Sequence, residues 1–266
     1  MLKRIISGIV VILLFAALLI LKGTYLKVGI VLMGLICQYE MINTIKKKDV
    51  RIMEIPIYLF ALLMMPVLQL AGITGLFVLY AVTFMLFVIV RVFNERYTYE
   101  SIVYSILAIF YPGLFLAFAY LITLIPDDQI LIDAVLITVL AASGSDTFAY
   151  FTGRFLGKHK LAPKISPNKT VEGAVGGLVG GAILSLLYVL FFAHRATGIL
   201  WYMLLAVLLA LLSQFGDLAA SLAKRYFGIK DFGKIIPGHG GILDRVCSII
   251  FVLPLTYGFI KLFYGI

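Results

Sequence analysis

Nine stretches of the chain are apolar over lengths close to the ~20 residues that a helix needs to cross a bilayer. They run from about 5 to 21, 27 to 45, 53 to 70, 73 to 91, 101 to 124, 130 to 151, 171 to 193, 199 to 217 and 246 to 264. The pattern predicts an all-α, polytopic integral membrane helix bundle of about nine transmembrane helices. Residues 1–125 would supply the N-terminal helices and 126–266 a C-terminal region of the same membrane domain. The first stretch has the length of a signal peptide, but no small-residue cleavage site follows Leu21 and apolar segments continue to the end, so it is read as a span.

The polar positions orient this array. Alternate loops hold Lys3 and Arg4; Lys46, Lys47, Lys48 and Arg51; Arg91 and Arg96; Arg154, Lys158, Lys160, Lys164 and Lys169; and Lys224, Arg225, Lys230, Lys234 and Arg245. The other loops hold only Lys22, Lys27, Arg195 and Lys261. Cationic loops stay in the cytoplasm, so the bias predicts a cytoplasmic N-terminus and an external C-terminus. Two of the basic loops, about 152–170 and 218–245, are long and rich in Gly, Pro and His, and long loops tend to carry function.

Composition excludes several classes. The chain is 63% hydrophobic and 13% charged with a mean hydropathy of +1.11, against about half and about a quarter for a soluble domain; a soluble enzyme is ruled out. The net charge of +9 belongs to loops facing anionic lipid, which argues against a nucleic-acid partner. Cys37 and Cys247 form neither a disulfide framework nor a zinc pattern.

Four acids, Asp146, Glu172, Asp217 and Asp244, fall at cytoplasmic ends of the sixth to ninth spans. Each alone could neutralise a neighbouring Lys or Arg; together, at one membrane depth beside two basic loops, they point to function. Gln214, Asp217, Ser221 and Lys224 are spaced three, four and three apart, which puts a carboxylate, a hydroxyl and an ammonium on one helix stripe. Ser143, Asp146 and Tyr150 repeat that arrangement. Hard oxygen ligands of this kind suit Mg²⁺, whereas His159, His194 and His239 are too scattered for zinc.

Pro237-Gly238-His239-Gly240-Gly241, followed by Asp244-Arg245, reads as a glycine-rich bend opening a helix, where backbone N–H groups can approach a phosphate. A plain turn would use the same glycines; the adjacent Asp-Arg pair favours the site. In Ser166-Pro167-Asn168-Lys169-Thr170, Ser166 is expected to cap the seventh helix and Pro167 to occupy its first turn, with Lys169 and Thr170 suited to phosphate oxygens. Gly173, Gly177 and Gly181 make small-x-x-x-small steps, the mark of close helix packing, so the seventh span is expected inside the bundle. Gly153-Arg-Phe-Leu-Gly157-Lys158 lacks the spacing of an NTP-binding P-loop, and no Gly-x-Ser-x-Gly is present.

Ser221-Leu-Ala-Lys224-Arg225, Lys230-Asp231, Gly233 and Pro237-Gly-His239-Gly240-Gly241-Ile-Leu-Asp244-Arg245 closely resemble the signature of the phosphatidate cytidylyltransferases, the CDP-diacylglycerol synthases. Ser145-Asp146-Thr147-Phe148-Ala149-Tyr150-Phe151-Thr152-Gly153-Arg154 and Ser166-Pro-Asn-Lys169-Thr170-Val-Glu172-Gly173 are similar to that family too, so the resemblance covers about residues 140–250. Ala223 replaces a larger aliphatic residue, and Cys247 stands where the family usually has Asp; a thiol is a poor Mg²⁺ ligand.

The resemblance implies transfer of the cytidylyl group of CTP to phosphatidic acid, with Mg²⁺, and leaves a second cation open. It implies Asp217, Asp244 and Asp146 as metal ligands. Lys169, Lys224, Arg225, Lys230 and Arg245 would neutralise phosphates, and His239 with Gly240 and Gly241 would shape the nucleotide site. Ser166, Asn168, Thr170 and Ser221 would join in substrate binding. Partners would be CTP, phosphatidic acid and membrane lipid, with a homodimer left open, at the bacterial inner membrane with the site facing the cytoplasm. Action on an isoprenoid lipid phosphate fits the same residues, and a CTP-dependent lipid-alcohol kinase is more distant. A secondary transporter would place its acids at the midplane rather than at one edge.

Overall fold

A computed structural model describes residues 2–193, 199–238 and 240–265, with side chains described from residue 6 onward. The chain is almost wholly helical: α1 (Leu2–Leu21), α2 (Gly23–Ile45), α3 (Glu54–Phe93), α4 (Tyr99–Ala108), α5 (Phe115–Ile122), α6 (Asp128–Leu156), α7 (Val171–Phe191), α8 (Ile199–Tyr226) and α9 (Leu243–Tyr264). A single hairpin, β1 (Lys160–Ala162) with β2 (Ser166–Thr170), interrupts it.

Among the described residues, seven helices are long and apolar enough to cross a membrane, which makes this an integral membrane protein. The difference from nine has two local causes. The stretches 53–70 and 73–91 are the two arms of α3, which breaks at Gly72 (φ 52°, ψ −138°) in a non-helical conformation that costs glycine little, so two expected spans are counted here as one. Within α1, the apolar run described is Ile6–Leu21, too short to count by length. The stretch 101–124 is α4 and α5 joined through one irregular turn at Ile109–Leu114, which contains Pro112.

The chain divides into two compact units: Met1–Leu124 with Tyr226–Arg245, and Ile125–Arg225 with Val246–Ile266. In the first, α2 packs against α1, α3, α4 and α5, burying Cys37, Met41, Ile42 and Ile45. Phe60 and Tyr80 meet edge to face at 4.7 Å, and the Tyr80 hydroxyl donates to the Ile109 carbonyl at 2.8 Å. Thr98 caps α4 in a reciprocal exchange with Ser101.

In the second unit the glycine stripe acts as its spacing predicts. A Cβ at Gly173, Gly177 or Gly181 would fall 2.8, 2.7 and 2.5 Å from the carbonyl oxygens of Ala149, Ser145 and Ala141. The backbones of α6 and α7 therefore lie antiparallel in contact, four residues per step on both sides. Only that face of α7 is buried: Val175, Val179 and Ile183 are about half exposed, so α7 is packed on one side rather than enclosed. Around this seam Ile137, Val189, Tyr202, Leu209 and Val252 form the core. The polar groups in it are paired: Thr138 with Thr256 at 2.7 Å, Ser185 to the Ile137 carbonyl at 3.2 Å, and Ser145 to the Ala210 carbonyl at 3.1 Å.

Gly181→Leu should force these backbones apart and destabilise the protein by about 1–3 kcal/mol. Thermal unfolding in detergent measures this, and an unchanged Tm would contradict the packing.

Candidate active site

The second unit gathers most of the expected residues at one end of α6, α7 and α8. The short segment after α6 folds back as the hairpin, Lys160 opposite Thr170 and Ala162 opposite Ser166. Ser166 and Pro167 are thus strand residues and not a helix cap. The cap of α7 is Thr170, whose Oγ1 accepts from Gly173 N at 3.1 Å. Glu172, in the first turn of α7, clamps the hairpin's start: it accepts from the backbone N–H groups of Lys158 and His159 and pairs with His159 Nδ1 at 2.6 Å. Arg225, expected on phosphate, donates Nε to the Ile165 carbonyl at the hairpin's turn, 3.2 Å away.

This frame delivers Lys169 to α8. Its Nζ lies 2.7 Å from Asp217 Oδ2, with the two side chains 25% and 30% exposed. Asp217 Oδ1 is 3.9 Å from the thiol of Cys247, and the next residue of α9, Ser248, donates to Asp146 Oδ2 at 3.0 Å. Two carboxylates from α6 and α8 are thus held at consecutive residues of α9. Gln214, one turn before Asp217, is buried and donates to Ser145 Oγ and the Ala174 carbonyl, which fixes α8 against α6 and α7. Ser221 and Lys224 follow on α8, both half-buried, while Asn168 on β2 is exposed.

Lys230, Gly240, Gly241, Asp244 and Arg245 belong to the first unit; His239 lies outside the described residues. The loop before α9 turns at Gly238 and Gly240, with φ 80° and 87°, where an L side chain would be strained. Ile236 and Gly240 pair across the turn, Ile236 N donating to the Gly240 carbonyl at 2.9 Å. Asp244 is 8% exposed, and its Oδ2 accepts from Phe232 N at 2.8 Å and Gly241 N at 3.0 Å. The next two N–H groups, of Ile242 and Leu243, donate to Glu40 at 3.0 and 2.8 Å. Of the backbone N–H groups around this glycine bend, those of Gly241, Ile242 and Leu243 are therefore held by the protein's own carboxylates. Lys230 and Arg245 are exposed.

The model of the cytidylyltransferase family matches this chain over residues 2–263. The chain belongs to the cytidylyltransferase family. Similar proteins, each named a phosphatidate cytidylyltransferase, include that of Staphylococcus haemolyticus strain JCSC1435, 34% identical over 95% of this chain and 96% of its own length. That of Bacillus subtilis strain 168 is 33% identical over 98% of both chains, and that of Staphylococcus aureus strain COL is 34% identical over 95% and 96%.

As a cytidylyltransferase the protein handles triphosphate, and its donor chemistry fits a hard cation: Asp146 and Asp217 are carboxylates with a serine hydroxyl alongside. Among the described residues no three His, Cys, Asp or Glu side chains group as a metal cage. Mg²⁺ needs none, since it is commonly bound through one or two carboxylates together with water and substrate phosphates. Glu40 is the residue that sequence reasoning missed. The signal was present: it is a lone acid inside the apolar stretch 27–45, and acids in membrane segments are functional candidates by default.

Thr170→Val should remove the cap of α7 and cost about 1 kcal/mol, read as a lower Tm in detergent; a Tm equal to wild type would show that the cap is not needed.

Proposed function

We propose that the Lys169–Asp217 pair is the polar centre at which this chain transfers the cytidylyl group of CTP to phosphatidic acid, giving CDP-diacylglycerol and pyrophosphate. The family and the names of the relatives support the reaction, and the 2.7 Å ion pair between a cation suited to phosphate and an acid suited to metal supports the location.

A phosphate monoester has its second pKa near 6, so phosphatidic acid is largely dianionic at neutral pH. Its oxygen can form the new bond to the α-phosphorus of CTP while the bond to the β-phosphate oxygen breaks and pyrophosphate leaves; no protein nucleophile is required. The chain's task is then to position phosphates and balance their charge. Lys169 and Asp217 satisfy one another. Lys169 would give its ammonium to a phosphate oxygen of the nucleotide, and Asp217 would be a carboxylate ligand for Mg²⁺. Asp146, steadied by Ser248, would hold the cation with Asp217. Asp244, in the first unit, is a further acid proposed for the reaction, its Oδ2 accepting from two N–H groups. When bound, Mg²⁺ neutralises charge that develops on the phosphate oxygens. Lys224 carries further positive charge for these phosphates, with Ser166, Asn168, Thr170 and Ser221 as hydrogen-bonding groups; in the first unit, Lys230 and Arg245 are the cations proposed for phosphate.

The positive-inside bias supports a cytoplasmic placement of the long basic loops, where CTP is made available. The bacterial relatives support a bacterial cytoplasmic membrane.

Two variants test the centre. Purified protein with phosphatidic acid, Mg²⁺ and CTP labelled at the α-phosphate should yield labelled liponucleotide; label reaching lipid only from the γ-phosphate would mean a kinase. Lys169→Met and Asp217→Asn should each lower turnover on the order of a hundredfold or more, the scale of losing a charge that meets a transition state in a water-poor site. A partly exposed ion pair with only a structural task contributes about 1 kcal/mol or less, so Tm should scarcely change. A fall in Tm with normal turnover per folded molecule would make the pair structural.

A further inference from the structure

Three successive N–H groups open α9. Gly241 N goes to Asp244 within its own loop, and Ile242 N and Leu243 N go to the two oxygens of Glu40, on α2 about two hundred residues earlier in the chain. Glu40 is 1% exposed. Gly233 and Gly241 lie directly against its carboxylate, and a Cβ on either would collide with it. Ile242 stands where a Ser, Thr, Asp or Asn would ordinarily cap the helix locally. The cap comes instead from another helix, as a buried charge that meets the positive end of the α9 dipole. A Ser, Thr, Asp or Asn at 242 would accept from N–H groups further along α9 and would not tie the loop to α2. Glu40 and Asp244 together pin both ends of the segment from Phe232 to Leu243: Glu40 holds Ile242 and Leu243, and Asp244 folds Phe232 onto Gly241.

We propose that Glu40 is a positioning residue for the cytidylyl transfer. Its carboxylate, held between Gly233 and Gly241, sets where the loop presents Asp244 and its neighbours Lys230 and Arg245, without touching substrate. This rests on the reading that the loop serves the reaction. Displacing a reacting group by about 1 Å can cost up to about a hundredfold in rate, so the effect of Glu40 falls on turnover. A cleft of about 320 Å³ has Glu40 in its wall together with Tyr39, Asn43, Lys47 and Lys234. It offers a small carboxylate a route to the same N–H groups.

The test uses the full-length protein in detergent, with folded fraction and Tm recorded for every variant. Glu40→Gln keeps the shape but supplies one acceptor and one amide that meets an N–H head on, so only one of the two bonds survives. Its kcat per folded molecule should fall at least about tenfold, with KM for CTP and phosphatidic acid close to wild type. Glu40→Ala should lose more and should regain turnover with added acetate but not with chloride at equal ionic strength. Wild-type kcat in Glu40→Gln, or a loss confined to folded fraction, overturns the proposal, as does a folded Glu40→Ala that ignores acetate. If Glu40→Ala does not fold, Glu40→Gln decides alone. Asp244→Asn, run in parallel, separates the two claims: full activity there overturns the role of the loop, whereas its inactivation beside a fully active Glu40→Gln overturns only the role of Glu40.

Discussion

Any polar group that a membrane-embedded chain carries has to find its partner within the protein, because hydrocarbon offers none. Much of this structure follows from that constraint. Ser145, Ser185, Thr138 and Gln214 bond across helices to carbonyls or to one another. The two buried acids do the same at greater energetic stake, since an unpaired buried carboxylate is far costlier than an unpaired hydroxyl: Glu40 and Asp244 take the N–H groups at the start of α9. Asp217, partly exposed, takes Lys169, and Asp146, exposed, takes Ser248.

The same requirement makes these groups useful in chemistry. A carboxylate that pairs with a lysine keeps both charges partly shielded and in place, and on the proposed reading a phosphate oxygen would take the lysine and a cation the carboxylate. Little reorganisation is then needed at the moment of reaction, which is where electrostatic catalysis gains most. The rigid support is the α6–α7 seam, where glycines bring two backbones together and the hairpin that bears Lys169 is closed by Thr170 and Glu172.

What the sequence disclosed follows the range of each signal. Spans are local and long, so apolar stretches located the membrane helices, and the division between 53–70 and 73–91 falls at the Gly72 kink of α3. The glycine stripe of α7 was legible because its period is its function, although it said nothing of the opposite face, where Val175 and Val179 are exposed. The hairpin was not legible: Lys160–Ala162 and Ser166–Thr170 are short and polar, without alternation, and the Ser-Pro pair resembles a helix start. In fact Thr170, four residues later, is the cap. Lys169 and Asp217 were singled out separately by their motifs, but their pairing joins segments 48 residues apart. Glu40 was passed over: it is a lone acid in the apolar stretch 27–45 with no recognisable motif around it. Its partners, Ile242 and Leu243, lie at the far end of the chain, and only the fold reveals them.

The central claim is that Lys169 and Asp217 hold one another's place until substrate arrives. A structure of the protein with CTP and Mg²⁺ bound tests this most directly, through the distance between Lys169 Nζ and Asp217 Oδ2. The account predicts that the 2.7 Å contact opens, with Lys169 on a phosphate oxygen and Asp217 on the cation. An intact ion pair with the nucleotide bound elsewhere would contradict it.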